Sequence, residues 1–300
     1  MKLFKHTLSI NFLSHSFITS ILSAVCILSA ILILIFKGLN LTIEFTGGTT
    51  LNILVPKVEV SKFRIDVQEA LEDNLQIVEV NSDNNKSNFL LRMKFIENEQ
   101  IIVNNLKMIY PELEIKGIDS FGPKLGSELQ SNARNAILIA LLLISSYIAL
   151  RFDRYYALGS VAALIHDVLI TLGILSILNI EIGISIIAAL LTIVGYSLND
   201  TIVVYDRIRE NTAKLINDNK KAIINRSLNE TLNRTVITSF TTLIVVIILF
   251  LYGGIVLQSF AITLIIGIFI GTYSSIYIAS PIMFYFEEKY PIPEFIDEEV

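Results

Sequence analysis

Six long apolar runs divide the chain, and they cover residues 16–36, 133–150, 157–178, 182–204, 236–252 and 259–284. A helix needs about 20 largely apolar residues to cross about 30 Å of hydrocarbon. The pattern therefore predicts six transmembrane helices. The first run is too long for the apolar part of a signal peptide, and no A-x-A-like cleavage site follows it, so we expect it to remain as an anchor.

The segment between the first two runs, residues 38–132, is the only sizeable soluble part of the sequence. Its patterns predict strands at 41–45 and 49–55, a helix at 61–74, strands at 75–80 and 88–95, a helix at 98–110 and a strand at 113–118. Without the first short strand, this order is βαββαβ. It predicts a small α+β domain of ferredoxin-like type, in which helices cover one face of an antiparallel sheet.

Two glycine-rich stretches flank this domain. Gly47 and Gly48, in "EFTGGTT", lie between β-rich runs and predict a tight hairpin or a close backbone approach. No GK[ST] follows them, so they do not form a phosphate-binding loop. Gly122 and Gly126, in "FGPKLG", predict a kinked junction between the domain and the second membrane helix.

The composition agrees with a membrane protein. Apolar residues make up 53% of the chain, charged residues only 17%, and the mean hydropathy is +0.64. These values lie outside the usual range for a soluble globular domain. The single cysteine, Cys26, lies inside the first apolar run, which excludes a disulfide framework and a cysteine-based metal site.

The distribution of lysine and arginine predicts the orientation. If the N-terminus is cytoplasmic, the inner loops carry many of these residues, whereas the short outer loops at 179–181 and 253–258 carry none. This asymmetry predicts that both termini are cytoplasmic and that 38–132 is outside. The predicted organisation has four parts. Residues 1–37 hold the cytoplasmic N-terminus and the first membrane helix, and residues 38–132 form the outer domain. Residues 133–286 form the other five membrane helices with a cytoplasmic loop at 205–235, and residues 287–300 form a cytoplasmic tail.

Asp200 lies in the fourth run before its apolar character ends. A carboxylate at the centre of a spanning helix costs about 2.5–3.5 kcal/mol, so it persists where it is shielded, paired or useful. Tyr196 and Asn199 share its helical sector, as do Ser185 and Thr192. We expect this polar stripe to face protein or water. Asp200 precedes Asp206 by six residues, which places it about 9 Å into the membrane from that interface residue.

Arg234 begins a second polar face, on the fifth run. It shares this face with Thr238, Thr241 and Thr242. Taken alone, an arginine in this position is typical of an anchor that extends its charge to the cytoplasmic interface.

His166 and Asp167 lie close to the middle of the third run, too deep for anchoring. An ionisable residue at this depth suggests a functional site, and histidine changes charge most readily near neutral pH. A buried hydrogen-bonded pair that orients neighbouring helices is the alternative. Gly267 and Gly271, followed by Ser274 and Ser275, predict close helix packing in the sixth run.

Other classes of site are missing from the sequence. No GxxxxGK[ST] occurs, which argues against an ATPase, and no Gly-x-Ser-Gly or Gly-x-Gly-Asp loop suggests an intramembrane protease. We therefore expect no enzymatic activity, no metal, no cofactor and no nucleic-acid partner. Any energy for work has to come from a partner or an ion gradient.

Several stretches together resemble the SecF family of protein translocase subunits, within the broader RND transporter group. They are "LLTIVGYSLNDTIVVYDRIREN", "LIHDVLIT", "NETLNRTVITSFTTL", "GTYSSIYIASP", "EFTGGTT" and "FGPKLG". The likeness extends over nearly the whole chain. It departs from the family pattern at Glu44, where an aspartate is usual, and at Tyr205, where a phenylalanine is usual.

The resemblance implies a multi-pass protein of the bacterial inner membrane that works with SecD. It implies that the pair assists the SecYEG channel and uses the proton-motive force on the translocating polypeptide, after the ATP-driven step, with YajC as a further candidate partner. The family residues that match Asp200 and Arg234 are implicated in proton conduction. The resemblance therefore favours a functional role for Arg234 over an anchoring role. His166 and Asp167 match a family motif whose role is less clear.

Two rival classes stay open. An efflux transporter of the RND group normally has twelve spans and two large outer domains, so this chain would be half of one. A non-conducting structural scaffold of the translocon is the second rival, and the deep ionisable residues argue against it.

Overall fold

The computed structural model describes residues 9–71, 75–82, 85–215 and 218–290, so most of the acidic tail at 287–300 lies outside the described residues. The chain forms two compact units, one of which is Leu41–Asn135 with Ile182–Ile184. The other comprises Met1–Asn40, Ala136–Glu181 and Ser185–Val300. The helices are α1 (Ser16–Phe36), α2 (Ile43–Thr46), α3 (Val60–Leu71), α4 (Glu99–Ile109), α5 (Pro123–Arg151), α6 (Arg154–Ile177), α7 (Ile184–Lys214), α8 (Lys220–Tyr252), α9 (Gly254–Ser274) and α10 (Ser280–Lys289).

Six spans in the described part of the chain are long and apolar enough to cross a membrane, which confirms the predicted number. They correspond to α1, α5, α6, α7, α8 and the stretch Leu257–Lys289. The second begins at Pro123, ten residues before the predicted start at 133. Proline suits the first position of a helix, because the amide hydrogen that it lacks would have no intrahelical partner there.

Most of the segment 205–235, which was predicted as a loop between two membrane spans, is helical. Helix α7 continues to Lys214 and α8 begins at Lys220. Glu210 forms ion pairs with Arg207 at 2.9 Å and with Lys214 at 2.6 Å, spacings that support a helix beyond its apolar part. The side chain of Asn219 then caps α8 by accepting a hydrogen bond from Lys221 N.

The sixth span is not one continuous α-helix. A π-helical turn, Ser275–Ala279, separates α9 from α10. Pro281 follows it at the start of α10, and a proline cannot donate the amide hydrogen that an α-helix requires. Tyr205 of α7 is fully buried here, and its hydroxyl donates a hydrogen bond to Ala279 O at 3.1 Å.

Small residues let the membrane helices approach closely. A Cβ added to Gly173 of α6 would lie 2.6 Å from Ala30 Cβ of α1. On α9, a Cβ at Gly271 would lie 3.0 Å from Ser197 Cβ, and one at Gly267 would overlap Ile193. Both positions face α7, so the predicted packing role of the two α9 glycines is confirmed.

Two asparagines of α8 hold the segment that precedes α1. Asn229 accepts a hydrogen bond from Ile10 N at 2.9 Å and donates one to Ile10 O at 2.7 Å. Asn225 accepts from Leu13 N at 2.9 Å and donates to Asn11 Oδ1 at 2.8 Å. The two amides thus satisfy backbone groups that would otherwise lack intrahelical partners.

The unit formed mainly by Leu41–Asn135, the α+β unit, has the predicted βαββαβ order. Its strands are β1 (Gly48–Pro56), β2 (Gln76–Ser82), β3 (Lys86–Met93) and β4 (Glu114–Phe121). They form an antiparallel sheet in the order β2-β3-β1-β4, and α3 and α4 cover one face. The Phe63 ring of α3 stacks on the Phe89 ring of β3 with centroids 4.0 Å apart, and both side chains are fully buried.

The strand predicted at 41–45 is wrong. Leu41 makes only an isolated bridge, and Ile43–Thr46 form the short helix α2. Phe45 N and Thr46 N both donate to Thr42 O, and Gly47 ends the turn with φ +75°. An apolar run this short suits a helical turn as well as a strand, and the glycine stops it here.

The flanking glycines permit close contacts rather than a hairpin. A Cβ at Gly48 would lie 2.8 Å from Met93 O, and one at Gly126 would lie 2.6 Å from Phe45 O. Gly126 lies in the first turn of α5, so the predicted junction is the start of a helix. Gly122 has no neighbour closer than 3.9 Å to such a Cβ.

Candidate functional site

Asp200 lies in α7 and is 2% exposed. Its Oδ2 atom has no hydrogen-bond partner within the described residues. Arg234 of α8 interacts with it electrostatically. However, no ion pair within 4.0 Å joins the two in the part of the chain that the structure describes. The carboxylate is thus shielded by protein without being paired.

The other polar positions of the α7 stripe lie at the surface of the chain. Asn199 is exposed, and so is Arg234 on α8. Tyr196 is half-buried, and its hydroxyl has no hydrogen-bond partner among the described residues. An amide and a guanidinium exposed along spanning helices require contact with protein or water. This polar surface is defined by Asn199 and Arg234.

The threonine hydroxyls near this surface are satisfied within their own helices. Thr238 donates to Arg234 O at 3.0 Å and to Thr235 O at 2.9 Å. Thr192 donates to Ala188 O at 2.8 Å. Bonds of this kind let a threonine face lipid. These threonine hydroxyls therefore have hydrogen-bond partners within their own helices.

His166 and Asp167 form a buried hydrogen-bonded group between three helices. The two residues are 2% and 0% exposed, and His166 Nδ1 lies 2.9 Å from Asp167 Oδ1. Asp167 Oδ2 accepts hydrogen bonds from Ser197 of α7 at 2.6 Å and from Ser274 of α9 at 2.8 Å. One carboxylate of α6 therefore receives donors from α6, α7 and α9.

Ser197 and Ser274 were not predicted as members of this group. Ser274 follows Gly271 by three residues and so lies on the same face of α9, which was predicted only to pack. The spacing between Gly271 and Ser274 was the one feature of the sequence that could have indicated that Ser274 faces a neighbouring helix. Ser197 lies three residues before Asp200, about 4.5 Å along the axis of α7, so the group is one helical turn from the candidate proton site.

Glu44, a residue of α2, contacts the first residue of α7. Its Oε2 atom accepts a hydrogen bond from Ile184 N at 2.7 Å. A carboxylate is favourable at this end of a helix because the backbone amides there lack intrahelical partners and carry partial positive charge. No cluster of three or more His, Cys, Asp or Glu that could hold a metal occurs among the described residues.

The fold and these groups define a multi-pass membrane protein with ionisable side chains buried between its helices and one small α+β unit. Residues 101–289 match the family model described as "Protein export membrane protein SecD/SecF, C-terminal". The chain belongs to the SecF family and is an accessory subunit of the Sec protein translocase.

Similar proteins cover most of the chain. It is 40% identical over 297 residues to the protein translocase subunit SecF of Calditerrivibrio nitroreducens, covering 95% of this chain and 96% of that one. It is 41% identical over 268 residues to the SecF subunit of Escherichia coli O157:H7, covering 86% and 82%. The crystal structure of SecDF from Thermus thermophilus is 37% identical, with a TM-score of 0.84. That match covers 95% of this chain but only 40% of the SecDF chain.

Proposed function

We propose that this chain works with SecD to assist the SecYEG channel, and that it uses the proton-motive force to complete protein export after the ATP-driven step. The names of its relatives support the translocase role, and the SecDF chain supports SecD as partner. YajC is a further candidate. No cofactor is required, because the proton gradient supplies the energy.

The proposed topology follows the lysine and arginine distribution. Both termini lie in the cytoplasm of a bacterial cell whose inner membrane holds the chain, and the α+β unit lies outside, where it meets the emerging polypeptide. A cysteine in place of Met108, which is 81% exposed, tests this in a Cys26→Ser background. A membrane-impermeant maleimide should label it from outside and should fail to label the matched Lys221→Cys variant. The reverse pattern contradicts the topology.

The polar surface supports a partner within the membrane. Asn199 and Arg234 are exposed on spanning helices, where lipid cannot pair them. The SecDF chain is more than twice the length that this chain matches. We therefore expect a twelve-helix assembly with SecD, in which the polar surface is covered. The isolated chain should not sustain full proton flux.

Proton coupling is assigned to Asp200, and its buried carboxylate without a hydrogen-bond partner carries this proposal. A charged carboxylate costs about 2.5–3.5 kcal/mol at the centre of a spanning helix and less nearer the interface, and one charge moving through 100 mV gains about 2.3 kcal/mol. Because the two energies are comparable, protonation of Asp200 can shift a two-state membrane element. Arg234 supplies the positive charge that favours the ionised form.

The test is export of a slow-maturing substrate from inner-membrane vesicles with and without an uncoupler. Asp200→Asn should assemble normally and lose uncoupler-sensitive export, whereas Asp200→Glu should retain part of it. Arg234→Lys should impair export, because an ammonium cannot reproduce guanidinium geometry. Asp206→Asn, an exposed carboxylate on the same helix, is the matched control and should export at the parental rate. Parental export by Asp200→Asn would move the coupling site elsewhere.

Copurification from native membranes separates the rival classes. Recovery of SecD and SecYEG with the chain supports the export role, whereas recovery of an outer-membrane channel would favour an efflux half-transporter. A non-conducting scaffold would bind the same partners but give no uncoupler-sensitive export difference between the parent and Asp200→Asn.

A further inference from the structure

The residues just before α7 are hydrogen-bonded to the residues just before α2. Leu41 forms a parallel bridge with Ile182, and Thr42 N donates a hydrogen bond to Ile182 O at 3.1 Å. Ile182 is almost completely buried. These three residues belong to the α+β unit, and so does Ile184, the first residue of α7. Helix α7 therefore begins inside the α+β unit.

Glu44 caps the start of α7 from a distant part of the sequence. The first backbone amides of a helix have no intrahelical partner, and the side chain of the preceding residue commonly accepts from one of them. Here the preceding residue is Gly183, which has no side chain. Ile184 N instead donates to Glu44 Oε2, 140 residues earlier, at 2.7 Å. A Cβ at Gly183 would lie 2.7 Å from that oxygen, so the glycine makes room for the carboxylate.

The backbone that carries Glu44 is held within the α+β unit. Its neighbour Phe45 is 4% exposed, and Phe45 O accepts a hydrogen bond from Gln130 of α5 at 2.8 Å. Gly47 N donates to Ile43 O at 2.9 Å and closes the single turn of α2. The Glu44 side chain therefore reaches α7 from a fixed backbone.

Helix α7 connects this capped end with the candidate coupling carboxylate. It continues from Ile184 to Lys214, and Asp200 lies about 24 Å along its axis from Ile184 at 1.5 Å per residue. A continuous helix is a rigid element of the kind that carries coupling between distant sites. A shift or rotation of α7 at Asp200 thus also moves its first turn.

We infer that Glu44 is a positioning residue for proton coupling. Its carboxylate holds the first turn of α7 in the α+β unit, so a movement of α7 on protonation of Asp200 reaches α2 and the strand that follows. This inference rests on the proposed function, because it takes Asp200 as the coupling site. The alternative is a cap that only stabilises α7, and such a cap would serve equally well from any residue.

Three variants of the full chain separate the two roles. Glu44→Ala removes the cap, whereas Glu44→Gln keeps an acceptor oxygen at the same reach. Glu44→Ala combined with Gly183→Ser removes the link to α2 but gives α7 a serine cap of its own. With the carboxylate gone, the nearest atoms to the new Cβ belong to the Thr42 side chain, at 3.0 and 3.2 Å. Glu128→Ala removes an exposed carboxylate of the same unit and is the matched control.

The first measurement is uncoupler-sensitive export of a slow-maturing substrate from inner-membrane vesicles. Glu44→Ala should lower it about tenfold, because loss of a hydrogen bond to a charged group changes an equilibrium by about that factor. Glu44→Gln should retain part of it, and Glu128→Ala should match the parent. The combined variant should export as poorly as Glu44→Ala. Recovery of parental export in the combined variant would overturn the inference, because a cap from any residue would then suffice.

Hydrogen exchange at α2 gives a measurement that does not depend on export. The assembled complex in lipid vesicles is compared with and without Asp200→Asn, whose side chain is neutral like a protonated carboxylate. The substitution should change exchange of the α2 amides at least about twofold when Glu44 is present and should have no effect in the Glu44→Ala background. An unchanged exchange rate when Glu44 is present, or the same change in both backgrounds, would contradict the link.

The inference and the proposed function fail in different ways. Parental export by Glu44→Ala, together with loss of export in Asp200→Asn, would overturn the inference alone. Parental export by Asp200→Asn would overturn the proposed coupling site, and the exchange comparison would still decide whether Glu44 links α7 to α2. If Glu44→Ala fails to accumulate, Glu44→Gln and the combined variant decide the matter, because both keep a cap on α7.

Discussion

Removal of the Asp167 side chain should destabilise the membrane unit, whereas removal of the Asp200 side chain should not. Asp167→Ala deletes the acceptor for three donors. Ser274 keeps a partner, because its hydroxyl also donates to Gly271 O at 3.1 Å. The Ser197 hydroxyl can turn towards the backbone of its own helix. His166 Nδ1 has no such alternative in the described hydrogen bonds, so it is left buried and unpaired.

The hydrogen bonds lost in each variant determine how far its free energy of unfolding falls. An unpaired buried donor costs about 1–3 kcal/mol, and each weakened serine bond adds up to about 1 kcal/mol. Asp167→Ala should therefore lower the free energy of unfolding by about 1–5 kcal/mol. Asp167→Asn should cost under about 1 kcal/mol, because its amide can accept from the serines and donate to the other imidazole tautomer. Asp200→Ala deletes no hydrogen bond to Oδ2 and should cost little.

Reversible unfolding in mixed micelles, followed by circular dichroism, measures these differences. Asp167→Ala should stand apart from both Asp167→Asn and Asp200→Ala. Equal destabilisation by Asp167→Asn and Asp167→Ala would show that the charge, rather than the hydrogen bonds, holds the three helices together. Equal destabilisation by Asp200→Ala would remove the distinction between the structural and the coupling carboxylate.

Three further predictions concern the α+β unit. Phe63→Ala should destabilise it by about 3–5 kcal/mol, because the ring that stacks on Phe89 is fully buried, and limited proteolysis of the full chain should detect this. Gly126→Ala should also raise protease sensitivity, since a Cβ there would lie 2.6 Å from a backbone carbonyl, whereas Gly117→Ala has open space and should not. The hydrogen bond from Lys86 lowers the pKa of Glu114, so this pair stabilises the fold above the ordinary carboxyl pKa and loses its effect as pH falls through the lowered value. Carbon-13 NMR should show the Glu114 pKa rising towards its ordinary value in Lys86→Ala.

Hydropathy was sufficient to predict the membrane helices in number and order, because lipid demands about 20 apolar residues for each crossing. It did not predict where α7 ends or where α8 begins. Their extensions beyond the apolar runs rest on charged pairs such as Arg207 with Glu210, which carry no hydropathy signal. The short strand predicted at 41–45 failed for a different reason. Ile43–Thr46 is a single turn whose conformation depends on Gly47 and on contacts distant in sequence.

The candidate site was partly visible in the sequence. Asp200, His166 and Asp167 stood out because an ionisable residue is costly inside a membrane. Ser197 and Ser274 did not, since a serine in a spanning helix usually bonds to its own backbone. Only the packing of α6, α7 and α9 shows that both hydroxyls converge on one carboxylate.

The segment that precedes α1 can reach its final place only late in synthesis, because its partners Asn225 and Asn229 lie in α8. Asn225 and Asn229 follow their backbone partners by 212 and 219 residues. A ribosome adds about 5–20 residues per second, so the first helix enters the bilayer roughly 10–40 s before these amides exist. During that interval Ile10 and Leu13 must find other partners for their amide hydrogens. Translation of α8 therefore sets the earliest moment at which the start of the chain reaches its final place.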